Sequence, residues 1–72
     1  MNLSSNKQKI EGLYDIDVKT VQGTVLNFHY VNGYSIEPGD IISFVDSKTK
    51  KIKRFHTSNV EIKEVSQWSQ WF

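Results

Sequence analysis

From Leu13 to Val21 the chain alternates with period two. Tyr14, Ile16, Val18 and Thr20 fall on one side, and Asp15, Asp17 and Lys19 on the other. That period belongs to an extended strand with one buried face. Gln22-Gly23 then supplies either a tight turn or a bulge in one continuous, curved strand. Thr24–Val31 alternates again, with Leu26, Phe28 and Tyr30 set against Val25, Asn27, His29 and Val31. Asn32-Gly33 follows, the dipeptide that best tolerates the positive φ of a type I′ hairpin turn. A turn is therefore expected there, with Tyr34–Ile36 as no more than a short extension. Glu37-Pro38-Gly39-Asp40 has the order of a type II turn.

Asp40–Asp46 is apolar on both faces through Ile41, Ile42, Phe44 and Val45, which predicts a central strand or one that curves. Ser47–Lys50 closes a hairpin into Lys51–His56. There Ile52, Arg54 and His56 oppose Lys53 and Phe55, so a bend or bulge is expected. Thr57-Ser58-Asn59 is a turn, and Val60–Val65 is the last strand. Residues 1–12 are the one place for a helix. Ser5 and Gln8 have capping-box spacing and Gly12 suits a helix stop, with a frayed arm as the alternative.

The sequence thus predicts an all-β domain with at most one short N-terminal helix: a small five-stranded meander barrel of the SH3-like kind, whose closure would remove exposed sheet edges. Its parts are an arm or helix over 1–12, a barrel over 13–65 and an aromatic tail over 66–72. β-Branched residues support this. Val, Ile and Thr number eighteen, leucine three, and alanine is absent.

The stretch "EPGDIISFVDSKTKKIKRFHTSNVEIKEV" resembles the last hairpin and closing strand of SH3-like barrels, where a turn such as "TSN" precedes a final strand such as "VEIKEV". A short helix ahead of five strands is similar to the layout of Sm-like proteins. The Asp and Asn pair of the Sm signature is missing, and "FHTSN" matches its last turn only loosely. Both resemblances imply a fold and no particular activity.

A chain of 72 residues makes one domain and buries about 60% of its unfolded surface. The absence of cysteine excludes disulfides and thiolate metal sites and suits a reducing compartment. "MNLSSNKQKI" lacks the apolar core of a signal peptide, and no apolar run nears the roughly 20 residues of a spanning helix. A soluble cytoplasmic protein without membrane contact is expected. The composition, rich in Lys, Ile, Asn and Ser, is that of an AT-rich bacterial or phage gene.

The net charge is only +1, yet Lys48, Lys50, Lys51, Lys53 and Arg54 run without an intervening acid. Such a run either holds phosphates or forms the solvated tip of a hairpin. The tail places Trp68, Trp71 and Phe72 in its last five residues. Large aromatics there either plug the barrel or dock on a partner, since tryptophan is enriched at interface hot spots. Asp15 and Asp17 share a strand face but make too few ligands for a hard cation. His29 and His56 have no metal-ligand spacing. No cofactor, metal or catalytic residue is expected, because no nucleophile elbow or phosphate loop occurs.

The expected function is a non-enzymatic interaction or accessory protein. It would bind another protein, or a second copy of itself, through Trp68, Trp71 and Phe72, with Lys50, Lys51, Lys53 and Arg54 steering the encounter. The alternative is a sequence-tolerant binder of RNA or single-stranded DNA. In that case Lys48, Lys50, Lys51, Lys53 and Arg54 hold phosphates while Tyr30, Tyr34 or Phe55 stacks bases.

Overall fold

A computed structural model describes residues 7–65 of the chain. They form one antiparallel sheet of five strands: β1 (Gln8–Lys19), β2 (Val25–Glu37), β3 (Ile41–Val45), β4 (Ile52–His56) and β5 (Val60–Glu64). The first four make a meander, and β5 returns to pair with β1, giving the order β4-β3-β2-β1-β5. The all-β expectation holds, but the sheet is not closed into a barrel. β4 and β5 are its two edges, and no ladder joins them. They still meet at one corner, because only the 3-10 turn Thr57–Asn59 links them. A sheet whose opposite edges are joined by so short a link must be strongly curled.

Two bulges supply that curl. Between the pairs Ile10↔Tyr34 and Leu13↔Asn32, Glu11 and Gly12 oppose the single Gly33. Between Tyr14↔Val31 and Ile16↔Phe28, His29 and Tyr30 oppose the single Asp15. Each extra residue bends its strand and raises the local twist. Tyr30 adopts φ 56°, and its N–H is satisfied by Asp15 Oδ1 at 3.1 Å.

These bulges correct two expectations. Asn32-Gly33 is no hairpin turn but lies inside the long strand β2. A type I′ turn needs positive φ at both central residues; here Gly33 has φ 79° and Asn32 does not share that sign. The helix considered for residues 1–12 is also absent from Gln8–Gly12, which open β1 by pairing with Tyr34–Ile36. Ladder bonds outweigh a weak local helix signal. Ser5 lies outside the described residues, so its capping partner cannot be placed.

The β1–β2 turn forms at Gln22-Gly23 as expected. The Gly23 N–H donates to Thr20 C=O at 3.0 Å, and Gly23 takes φ 92°. This is the three-residue loop in which a left-handed glycine follows a turn. β4 carries no bulge, for its register with β3 is continuous from Val45↔Ile52 to Ile41↔His56. Ile52 points away from the core and stays 60% exposed.

The core lies on one face of the curled sheet. Ile16, Val18, Val31, Ile42 and Phe44 are buried, with Tyr14, Phe28, Tyr34, Ile36, Phe55, Val60 and Ile62 packed against them. Phe28 meets Phe44 edge-on at a centroid distance of 5.1 Å, and Phe55 joins both at 5.9 and 6.0 Å. Edge-on aromatic pairs are favourable beyond the area they bury.

Candidate interaction surface

The basic segment divides into a tip and a strand. At the tip, Asp46 organises the β3–β4 loop. Its carboxylate accepts from the Lys48 N–H at 3.1 Å and from Thr49 Oγ1 at 3.0 Å, while the Lys50 N–H donates to Asp46 C=O at 2.7 Å. Lys50 takes φ 65°, and Lys48, Lys50 and Lys51 project into solvent. The Lys48 hydrogen bond, then Thr49 and the Lys53 charge, hold the Asp46 carboxyl below its ordinary value. Lys53 itself sits opposite Phe44, half-buried on the core side, and so leaves the exposed group.

Arg54 belongs to a different array. The pairings Lys9↔Ser35, Ser35↔Ser43 and Ser43↔Arg54 form one cross-strand row over four strands. Residues directly opposite one another share a face, so two hydroxyls lie between two cations on the outer side of the sheet. With Lys7 they line a groove of about 200 Å³. Val45 and Ile52, a directly opposed pair, are 49% and 60% exposed along its wall. Glu37 closes the array. Its carboxylate accepts from Ser43 Oγ at 2.9 Å and lies 3.6 Å from Arg54 and 3.7 Å from Lys7. The Ser43 hydroxyl, then Arg54 and Lys7, keep that carboxyl below its usual range.

The opposite end of the outer face is acidic. Asp17 lies across from Glu61, beside a surface hollow of about 360 Å³ that also touches Lys19 and Val25. Asp15 and Asp17 are structural here. Asp15 holds the bulge and lies 3.5 Å from His29 Nδ1, and Asp17 accepts from Asn27 at 2.7 Å. His56 caps the 3-10 turn, its Nδ1 2.8 Å from Ser58 Oγ. Among the described residues no three His, Asp or Glu side chains come together as a metal site, and no helix is long and apolar enough to cross a membrane.

The aromatics proposed as stacking platforms fare unequally. Tyr30 is 63% exposed on the bulge. Tyr34 is half-buried against Tyr14 at 5.0 Å, and burial followed by that neighbour pushes its phenol pKa up. Phe55 packs in the core cluster. The tip nevertheless lies near Tyr30, since Ser47 Oγ donates to His29 C=O at 2.9 Å. Trp68, Trp71 and Phe72 lie outside the described residues.

Sequence reasoning missed Lys7, Lys9, Ser35, Ser43, Val45 and Ile52 as neighbours of Arg54. The signal was the alternation of Lys7 and Lys9, masked by reading that segment as a helix or arm. No protein-family model, curated protein or solved structure matches the chain, so its function is read from these residues and their geometry.

Proposed function

We propose that this chain is a non-enzymatic, SH3-like interaction module that binds an extended, acidic segment of protein along β4 and its adjoining groove. The carrying observation is that β4 is an edge strand with cations and an exposed Val45–Ile52 pair beside it. An unpaired edge offers backbone donors and acceptors to a further strand, and alternating side chains confer specificity. Lys50, Lys51 and Arg54 attract acidic side chains, and Val45 and Ile52 give apolar contact. Trp68, Trp71 and Phe72 are proposed as further contacts, tested with a chain ending at Gln67.

The experiment is anisotropy titration with a short labelled peptide alternating glutamate and valine, alongside one alternating lysine and valine. Binding of the acidic peptide alone, weakened by Ile52→Asp, supports the reading. Equal binding of both peptides, or of neither, overturns it.

A second reading rests on the Ser47–His29 bond, which sets the tip bearing Lys48, Lys50 and Lys51 near exposed Tyr30. Phosphates on the lysines and a base stacked on Tyr30 would make a small single-strand binding surface. A labelled oligonucleotide titrated at low and high salt tests it. Binding that weakens steeply with salt and falls in Tyr30→Ala supports it, and no binding at low salt removes it.

A further inference from the structure

The occupant of the β4 edge can be named more closely. We infer that it is β5 of a second copy of this chain, so that copies add edge to edge. This deepens the preceding reading and rests on it.

The two edges of the sheet are complementary in charge and equal in length. β4 and the residue before it carry Lys51, Lys53 and Arg54, and β5 carries Glu61 and Glu64 with Lys63. One antiparallel register satisfies both faces. With Phe55 opposite Val60 of the second copy, Arg54 meets Glu61 and Lys51 meets Glu64. Lys53 then lies against Ile62, and Ile52 against the stem of Lys63. The faces agree, because Phe55 pairs with buried Ile42 and Val60 with buried Val18 in their own sheets. The apolar face therefore continues across the join, and lysine stems cover apolar neighbours while their charged ends reach water. Each copy contributes one β4 and one β5, so the contact is heterologous and generates a ring or an open chain.

The test is sedimentation velocity of the full chain at low and high salt, with circular dichroism to confirm strand content. Species larger than the monomer at low salt, loosened by high salt, are expected. Lys51→Glu and Glu64→Lys, both at exposed positions, should each weaken association about tenfold. An equimolar mixture of the two variants, or both changes in one chain, should restore it, because each then offers an opposite charge. A wild type that stays monomeric, or variants that mixing does not rescue, overturns the inference. A monomer that still takes the acidic peptide leaves the edge-binding reading standing and removes only the second copy. A monomer that ignores the peptide removes both.

Discussion

Replacing Gly33 by alanine tests the bent course of β2 directly. Gly33 is buried at φ 79°, and a Cβ placed on it would stand 2.9 Å from the Ile10 carbonyl oxygen. Two costs add. A left-handed backbone costs a non-glycine residue about 1–2 kcal/mol. The close atom is backbone in the β1–β2 ladder, so it cannot swing away like a side-chain tip, and forced overpacking costs about 1–3 kcal/mol. Alanine also restrains the unfolded chain, which returns about 0.4–1 kcal/mol. The net loss is about 1.5–4 kcal/mol, a large share of the roughly 4–11 kcal/mol that about 0.05–0.15 per residue gives a domain of this length.

Urea unfolding followed by circular dichroism measures it. With a slope near 1 kcal/mol per molar, the midpoint should fall by about 1.5–4 M at unchanged slope. Gly23→Ala is the control, since Gly23 has φ 92° but open space where the Cβ would go, and about 0.5–1 kcal/mol is expected. Asn32→Ala separates a bent strand from a hairpin. In a type I′ turn Asn32 would hold positive φ and its loss would matter. In this strand the change should stay within about 0.5 kcal/mol. A Gly33→Ala variant as stable as wild type, or an Asn32→Ala variant as damaged as Gly33→Ala, would refute the reasoning.

Three further outcomes follow from the packing and charge. Phe44→Ala, which empties the centre of the Phe28–Phe55 cluster, should cost about 3–5 kcal/mol in the same urea assay. The folded-state pKa values of Asp46 and Glu37 are depressed below 3.8 and 4.5. The stability they contribute is therefore present above those values and lost as pH falls through the folded-state ones. Urea midpoints should drop on acidification below about pH 4, and Asp46→Asn should be less stable at neutral pH with a flatter acid limb. Asp15→Ala removes the acceptor of the Tyr30 N–H, so hydrogen exchange at that amide should accelerate, and Tyr30→Gly in the same chain should recover stability by relieving φ 56°.

Where alternation was regular, the sequence was readable, because a one-residue slip would turn a whole face outward. Ile16 and Val18 were placed correctly from this alone, and so were the turns at Gly23 and at Ser47–Lys50. What failed was local chemistry overruled by distant pairing. Gln8–Gly12 has little strand character of its own and is extended because Tyr34–Ile36 lies beside it. Asn32-Gly33 has the composition of a turn, yet Gly33 is needed where the Ile10 carbonyl passes too close for a Cβ. Tyr30 at positive φ leaves no trace in sequence, since its support comes from Asp15 across the ladder. The groove was hidden for the same reason. Lys9, Ser35, Ser43 and Arg54 are remote along the chain and become neighbours only through three registers. The tip lysines were legible, but the half-buried place of Lys53 was not.

A lysine-bearing edge is also how a sheet avoids pairing altogether, and the two roles differ in which partner they exclude. Lys53 points to the core side, opposite Phe44. A second β4 laid against it would bring lysine toward lysine at an apolar seam, and two β5 edges would crowd Glu61 and Glu64 together. Both like-with-like pairings are therefore resisted. Against β5 in the register above, Lys53 faces Ile62 and has Glu64 as a diagonal neighbour, within reach of a long side chain. The charges that repel identical edges thus admit the unlike one. A surface built only to repel would not also expose Val45 and Ile52 side by side at its rim, because bare apolar pairs invite the contact that the lysines would be there to prevent. The net charge of +1 fits the same logic. Opposite signs are divided between the two ends of one sheet, so attraction is directional and the chain as a whole remains nearly neutral.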